Sequence, residues 1–380
     1  MPFRKSSGAR SSGNDPSANV GRPHIDSVVP AAAIPGGDFQ IRGEGLATVP
    51  SLTGEEGTAG NGSAAPVRPR VRFGKTPGQI VVGSDSYVVV RVPAGVSNGE
   101  LSVGAEPESS ATWPCHVGVR IAEGLHPVSN PVVDHSGNIF VTFSGPAGQK
   151  TPVSIYKVDP TLTSKPLATE VLNATGLALD KEETLYVSSR NDGVVYQVSP
   201  SGSTSPYVEG MGVATGLVFD PDGNLFVGDR SGTIFKISRQ RQIYVFATLE
   251  PSIAAYHLAF GPDEYLYVTG PTTSSFDGVA RISHDGHVER FYRGLGRPQG
   301  MAFDVQGNLY VAASLAGRRG LVRISPDAHA ELFLSGPNIV GLAFTPAKGL
   351  VVATNETSQS RGPEGSLYRV NLGIEGRPTH

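Results

Sequence analysis

The chain has 380 residues, of which 48 are glycine and 30 are proline, and charged residues make up only 17%. Because glycine and proline are poor helix formers, this composition argues against coiled coils and helix bundles and favours short strands joined by turns. The formal net charge of −3 gives no overall electrostatic attraction to nucleic acid or to anionic lipid. We therefore expect no nucleic-acid partner.

Cys115 is the only cysteine, so neither an intrachain disulfide nor a thiolate zinc cluster can form. No apolar run reaches the length of about 18 residues that a membrane span needs, so we expect no membrane span. Residues 1–20 carry Arg and Lys but lack the apolar core of a secretion signal. The expected location is the cytoplasm, and secretion stays open in case the true start of the protein is missing.

Residues 1–21 are rich in Ser, Gly, Asn and Arg without periodicity, which predicts a disordered tail. Residues 22–105 contain short strand candidates separated by Pro-Gly and Gly-Gly turns, as is typical of a sandwich. The candidates are FQIRG (39–43), RVRFG (70–74), QIVVG (79–83), YVVVRVP (87–93) and GELSVG (99–104). Residues 47–69 are mostly small or polar and predict a long mobile insertion.

This first ordered segment resembles an IPT/TIG domain. The resemblance lies in the order of prolines, paired glycines and a VPAG turn along PHIDSVVP (23–30), GGDFQIRGEGL (36–46), VRFG (71–74) and VVVRVPAGVSNGELSV (88–103). It implies an immunoglobulin-like sandwich, a fold that often serves as a spacer or a protein-binding module. Residues 106–115 follow it as an expected linker, with Trp113 and Cys115 packed at the domain junction.

From residue 116 onward the chain repeats a unit of four strands, most clearly in TGLVFDPDGNLFVGDRSGTIFKIS (215–238). The residues that close the first strand of each unit stand 40 to 46 positions apart, namely Asp134, Asp180, Asp220, Gly261, Asp304 and Thr345. Six units of about 42 residues are the signature of a β-propeller with four-stranded blades.

The closure of this ring is also predictable. The last unit stops after its third strand, SLYRVNLG (366–373), and the missing fourth strand stands ahead of the first unit as HVGVRIAEGL (116–125). A strand from the start of the domain that completes the last blade joins the ends of the ring and removes exposed edges. The predicted fold is therefore all-β: an Ig-like domain over 22–105, a linker over 106–115, a six-bladed propeller over 116–373 and a tail over 374–380.

The blade sequence Gly-(Leu/Met)-Ala-(Phe/Leu)-Asp…Gly-Asn-Leu-Tyr-Val resembles NHL-repeat propellers and the six-bladed gluconolactonase and senescence-marker-protein family. The second resemblance implies a lactone hydrolase with one divalent cation, Ca²⁺ or Zn²⁺, at the mouth of the central channel. The positions of the family's ligands fall here on Ser129, Thr175, Thr215 and Gln299. Because such cations need several charged oxygens, we predict no metal site on these residues and no cofactor, while ligands from elsewhere on the rim stay open.

In a propeller, the starts of the first strands and the ends of the second strands meet on one face around the channel, here called the mouth. The candidate ligand-binding residues at the mouth are Asn130, Thr175, Arg190, Thr215, Asp229, Arg230, His257, Gln299, Asn355 and Glu356. Arg190 and Arg230 occupy equivalent positions in adjacent blades, which favours a grip on a carboxylate or phosphate. Alternatively, each arginine pairs with Asp192 or Asp229 and supports a loop.

His257 is a candidate general base, with Glu356 or Asp229 as its partner across the channel, and a plain hydrogen-bonding role is the alternative. Two functions follow from these residues. The first is a non-catalytic protein that binds a small anionic or carbohydrate-like ligand, or a partner protein, at the mouth. The alternative is a gluconolactonase-like hydrolase of small lactones or cyclic esters.

Overall fold

The computed structural model describes residues 22–47, 69–96, 99–104, 109–145, 148–274, 276–358, 362–363 and 365–378. These ranges consist of strands, turns and loops without an α-helix. No helix that could cross a membrane occurs among them. The predicted tail over 1–21 and nearly all of the predicted insertion over 47–69 lie outside the described residues.

Within the described residues, the Ig-like domain contains the strands β1 His24–Val29, β2 Ala32–Ala33, β3 Asp38–Glu44, β4 Val71–Phe73, β5 Thr76–Pro77, β6 Gln79–Gly83, β7 Tyr87–Arg91, β8 Gly99–Val103 and β9 Trp113–Val117. One sheet has the order β1-β3-β7-β6, and strands β9-β8-β4-β5 form the second. Alternate residues point inward, so Phe39 of β3, Val88 of β7 and Leu101 of β8 meet in one core.

The segment predicted as a linker, residues 106–115, ends within a strand. Trp113–Val117 forms strand β9, which pairs with β8, so that Cys115 lies opposite Gly99. The Cys115 thiol donates a hydrogen bond to the Gly99 carbonyl, and its side chain belongs to the core of the Ig-like domain. A strand added to the second sheet therefore leads directly toward the propeller.

The propeller has the predicted six blades. Blade 1 contains β11 Val132–Val133, β12 Ile139–Thr142, β13 Ile155–Val158 and β14 Ser164–Ala168; blade 2 contains β15 Ala174–Leu179, β16 Leu185–Ser189, β17 Val194–Val198 and β18 Thr204–Val208; blade 3 contains β19 Ala214–Phe219, β20 Leu225–Asp229, β21 Thr233–Ile237 and β22 Ile243–Thr248.

Blade 4 contains β23 His257–Phe260, β24 Leu266–Thr269, β25 Asp277–Ile282 and β26 Val288–Gly296, and blade 5 contains β27 Met301–Phe303, β28 Leu309–Leu315, β29 Arg318–Ile324 and β30 Ala330–Ser335. Blade 6 combines β31 Ile339–Phe344, β32 Gly349–Thr354 and β35 Gly365–Asn371 with the earlier strand β10 Val119–Leu125. The pairing of β10 with β35 confirms the predicted closure. A short hairpin, β33 Thr357–Ser358 and β34 Gly362–Pro363, lies between β32 and β35.

Glycines near the start of the first strands let these strands pack closely around the axis. A Cβ on Gly176 of β15 would lie 2.2 Å from the Thr215 carbonyl oxygen of the next blade. On Gly216 of β19 it would lie 2.5 Å from the Tyr256 carbonyl oxygen. Since real Cβ atoms do not approach oxygen so closely, the glycine in each Thr-Gly-Leu segment is a packing requirement of the ring.

The opposite end of the ring carries the turns between first and second strands, here called the turn face. Asp304 caps one such turn: its carboxylate accepts hydrogen bonds from the backbone of Gln306 and Asn308, from the Asn308 amide and from the Tyr310 hydroxyl. Asp134, Asp180 and Asp220 cap the equivalent turns in blades 1 to 3. The aspartates of the repeat are therefore structural.

The two domains share backbone pairing. Strand β2 lies between β9 and β30 and pairs in parallel with both, which links the Ig-like domain to the outer edge of blade 5. The Asp38 amide also donates a hydrogen bond of 2.9 Å to the Ser335 hydroxyl. At the other end, the amide of Val305 donates to the carbonyl of Glu375, so residues 374–378 fold back onto blade 5.

Candidate functional site at the propeller mouth

Side chains from different blades meet at the level where the first strands begin. Ser129, just ahead of blade 1, and His257 of blade 4 belong to opposite sides of the ring, yet the Ser129 hydroxyl lies 3.3 Å from His257 Nδ1. Asn130 donates from its amide to the Met301 carbonyl and accepts from the Leu342 amide, which ties blades 5 and 6 together. These contacts, here called the floor of the mouth, connect blades across the ring where the first strands begin.

His257, predicted as a general base, has a different environment from the one expected of a catalytic pair. Its side chain is buried, with 3% exposed, and burial lowers its pKa to about 4. Glu356 instead accepts a hydrogen bond from the Asn338 amide, and Asp229 accepts from the amides of Val213 and Ser231. Among the described hydrogen bonds, the partner of His257 is the Ser129 hydroxyl and neither carboxylate.

The positions that the lactonase resemblance assigns to metal ligands do not fit a divalent cation. The Thr175 hydroxyl donates to the Asn173 carbonyl, and the Thr215 hydroxyl donates to the Gly228 carbonyl. The Ser129 hydroxyl is engaged by His257. These oxygens are neutral and already used within the fold, whereas Ca²⁺ and related ions need several charged oxygen ligands. No group of three or more His, Cys, Asp or Glu suited to a metal occurs within the described ranges.

Arg190 and Arg230 follow the second strands of blades 2 and 3, as predicted. Arg190 is half-buried, and its Nη2 donates a hydrogen bond of 3.1 Å to the Gly145 carbonyl, while Arg230 is exposed. Burial lowers the pKa of the Arg190 guanidinium, and the charge of Arg230 lowers it further. The two positive charges therefore act on each other across the boundary between these blades.

The alternative in which Asp192 and Asp229 neutralise the arginines is not what the structure contains. Asp192 accepts hydrogen bonds from the Val194 amide and the Tyr196 hydroxyl. Asp229 accepts hydrogen bonds from the Val213 amide and the Ser231 hydroxyl. Among the ion pairs of the described residues, none involves Arg190 or Arg230. The arginines thus lack a carboxylate partner in the part of the chain that the structure describes.

Three of the remaining candidates, Asn355, Glu356 and Gln299, belong to blades 5 and 6, away from the arginines. Asn355 and Glu356 follow β32 of blade 6, which lies across the ring from blade 3, and the Asn355 amide donates to the Asn338 carbonyl. Gln299 precedes β27 of blade 5, where its carbonyl accepts from the Thr269 hydroxyl. A small ligand that touches both arginines therefore lies toward blades 2 and 3.

Sequence reasoning missed Asn173, which supports Arg190. Its side-chain amide donates 2.8 Å to the Gly145 carbonyl, the same oxygen that holds Arg190, and its Oδ1 accepts from the Gly148 amide. Asn173 has a φ of 50°, a conformation in which asparagine is enriched among non-glycine residues. In the sequence, the only sign of this role is that Asn173 stands just before a first strand. Its contact with Gly145 joins residues that are distant in the chain, so the sequence alone does not reveal it.

Comparison with known families identifies the first domain. Residues 23–113 match the IPT/TIG domain family, which confirms the resemblance over that segment. Among proteins with curated descriptions, none is a significant match to the sequence.

Solved structures show the fold of both parts. A protein provisionally described as a gluconolactonase is 17% identical, with a TM-score of 0.54, and the alignment covers 69% of this chain and 94% of the other. Regucalcin from Agrobacterium tumefaciens, a calcium-binding protein, is 15% identical over 69% and 96% of the two chains, with a TM-score of 0.55. An auxiliary nutrient binding protein from Bacteroides thetaiotaomicron is 10% identical over 94% and 98%, with a TM-score of 0.51. At these identities the likeness establishes the fold alone.

Proposed function

We propose that the protein is a non-catalytic binding protein whose propeller mouth takes a small anionic ligand between Arg190 and Arg230. The observation that carries this proposal is the pair of arginines from adjacent blades that interact electrostatically without a carboxylate partner among the described residues. Two like charges held together are mutually destabilising, and a bound carboxylate or phosphate relieves that repulsion.

The environment of Arg190 favours binding over simple solvation. One guanidinium nitrogen is held by the Gly145 carbonyl, so the side chain loses little further freedom when a ligand binds. Partial burial also strengthens its interaction with an anion relative to a fully exposed arginine. Arg230 adds a second planar donor group from the next blade, so a ligand with two or more acceptor oxygens gains most.

The alternative, a lactone hydrolase, needs a base or a metal-bound water next to the ligand. His257 is buried, and the hydroxyls at the family's ligand positions serve the fold. The alignment of an auxiliary nutrient binding protein with 94% of this chain also agrees with binding as the function of such an architecture. These observations favour recognition of an anion over its chemical conversion.

The test is isothermal titration calorimetry of the full chain with phosphate, citrate and gluconate, with neutral glucose as the uncharged comparison. We expect binding of at least one anion that weakens as salt rises, and loss of that binding in Arg190→Ala and Arg230→Ala. Arg319→Ala is the matched control, because Arg319 is an exposed arginine of blade 5, across the ring from blade 2.

Two results would contradict the proposal. In the first, the three anions bind no better than glucose, or bind equally well to the Arg190→Ala protein. In the second, the protein hydrolyses gluconolactone in a calcium- or zinc-dependent manner that a chelator abolishes, which would establish the hydrolase instead.

A further inference from the structure

The outermost strand of blade 3, β22 Ile243–Thr248, has a free edge. Its sheet has the order β19-β20-β21-β22, and no further strand of the described residues pairs with β22. Beyond the pairing with β21, no described backbone hydrogen bond involves the six residues of this strand. The amide and carbonyl groups that point away from β21 are therefore open to an added strand.

The side chains along this edge are apolar and exposed. Ile243, Tyr244 and Val245 stand in consecutive positions, with 45%, 51% and 67% of their surfaces exposed. Because consecutive residues of a strand point to opposite faces, the edge presents apolar groups on both sides of the sheet. Among the large apolar side chains of the described residues, Val245 is the most exposed. A group of exposed apolar residues at a free sheet edge is typical of an interaction site.

Other residue types occupy the position of Val245 in the other blades. The equivalents follow from the strand register, because Val245 pairs with Phe235 immediately before a shift in register that recurs in every blade. They are Pro166 in blade 1, Pro206 in blade 2, Arg290 in blade 4, Leu332 in blade 5 and Arg120 in blade 6.

Proline and charged residues at this position protect an edge, because proline lacks an amide donor and a charge resists burial. The edge of blade 5 has a leucine there, but it is covered by β2, which pairs with Leu334 and Ser335 of β30. In the described part of the chain, blade 3 therefore has neither a protecting residue at this position nor a covering strand. The pairing of β2 with β30 also shows that an outer strand with this shift in register accepts an added strand.

The charges that flank β22 favour a second copy of the same chain as the added strand. Arg241 precedes the strand and stacks on the Tyr207 ring, whereas Glu250 follows the strand. Neither charge takes part in an ion pair among the described residues. Two β22 strands can run antiparallel with Val245 opposite Val245. In that register, Arg241 of each copy lies beside Leu249 and Glu250 of the other, so each end of the pair joins opposite charges.

We propose that two copies of this chain form a symmetric dimer in which their β22 strands pair antiparallel. The two third blades then become one sheet of eight strands, and the same residues contribute from both copies. One strand pair buries less surface than the standard protein interface of about 1,600 Å². We therefore expect a reversible dimer with a micromolar Kd.

This contact is separate from the arginine pair at the mouth. It lies at the outer edge of blade 3, whereas Arg230 follows the second strand of that blade. Anion binding and dimerisation use different residues. Failure of either proposal therefore leaves the other intact.

The test is sedimentation velocity of the full chain over a hundredfold range of protein concentration. We expect the average mass to rise toward twice that of the monomer. Val245→Arg gives blade 3 the residue that blades 4 and 6 carry at this position, so it should fold and weaken the dimer at least tenfold. Val305→Arg, at an exposed valine of blade 5, is the matched control and should dimerise as the wild type does.

A second variant covers the case in which Val245→Arg does not fold. Val245→Pro gives blade 3 the residue that blades 1 and 2 carry there, and it should weaken the dimer to a similar extent. Proline removes an amide donor from the edge without adding a charge.

Charge reversal tests the antiparallel orientation. Arg241→Glu and Glu250→Lys should each weaken self-association several-fold, because each brings like charges together at both ends of the strand pair. The double variant carries opposite charges again and should regain dimerisation. The proposal is overturned if the chain stays monomeric over the whole range, or if Val305→Arg weakens the dimer as much as the Val245 variants do. It is also overturned if the double variant associates no better than the single variants.

Discussion

The two faces of the propeller use charged side chains differently. On the turn face, the Asp304 carboxylate receives four hydrogen bonds from groups within six residues of it. On the mouth, Arg190 has one described hydrogen bond, to the Gly145 carbonyl, and no carboxylate partner among the described residues. A charge whose hydrogen-bonding capacity is filled by its own turn stabilises the fold, whereas a charge with donors to spare is available to a ligand. Substitutions on the two faces should therefore separate stability from binding.

The largest effect is expected on the turn face. Asp304→Ala removes an acceptor from two backbone amides, the Asn308 side chain and the buried Tyr310 hydroxyl. Loss of hydrogen bonds to a charged group, together with an unsatisfied buried hydroxyl, should lower the free energy of unfolding by roughly 3 kcal/mol. Urea denaturation measures this change. Asp222→Ala, at an exposed turn position, should alter it by less than about 0.5 kcal/mol, and similar losses in both variants would refute the distinction.

An intermediate effect should come from the floor of the mouth, where His257 is buried and its pKa is about 4. The unfolded chain has the ordinary histidine pKa of about 6.5, so below that pH it takes up a proton that the folded state does not. Stability should therefore fall as the pH drops through 6.5 toward 4, with a contribution from this group of roughly 1 kcal/mol at pH 5.5.

His257→Gln should remove that part of the pH dependence, which urea denaturation at pH 7.5 and pH 5.5 would measure. The exposed His284→Gln is the comparison and should keep the wild-type dependence. An unchanged difference between the two pH values in His257→Gln would mean that this histidine is accessible and titrates in the folded state.

The smallest effect on stability is expected at the arginine pair. Arg190→Ala combined with Arg230→Ala removes mutual repulsion and a single described hydrogen bond, so the free energy of unfolding should change by no more than about 1 kcal/mol. Thermal unfolding by differential scanning calorimetry measures it. A collapse of the transition would place the arginines among the structural charges, alongside the aspartates of the turn face.

The repeat pattern was sufficient for the architecture. The spacing of Asp134, Asp180, Asp220 and Asp304 predicted the blades, and the unpaired strand before the first unit predicted the closure that β10 makes with β35. Both rest on local alternation and on turn residues, which are written in consecutive positions. The pairing of β9 with β8 was missed because it depends on a strand partner more than ten residues away that no local signal identifies.

The mouth was predicted as a set of residues but not as an arrangement. Arg190 and Arg230 stand at equivalent repeat positions, so their proximity followed from the blade geometry. The burial of His257 did not, because it depends on how closely glycines such as Gly176 and Gly216 let the first strands approach the axis.

By itself, the order of residues determined an Ig-like domain followed by a ring of six blades closed by its own first strand, because periodic strands and turns are encoded locally. Only the tertiary structure decided which polar groups are hydrogen-bonded within the protein and which can still bind a ligand. That outcome depends on contacts between blades distant in the chain, such as Ser129 with His257 or Arg190 with Gly145. A side chain's partners and its access to water are properties of the assembled ring and not of its neighbours in sequence.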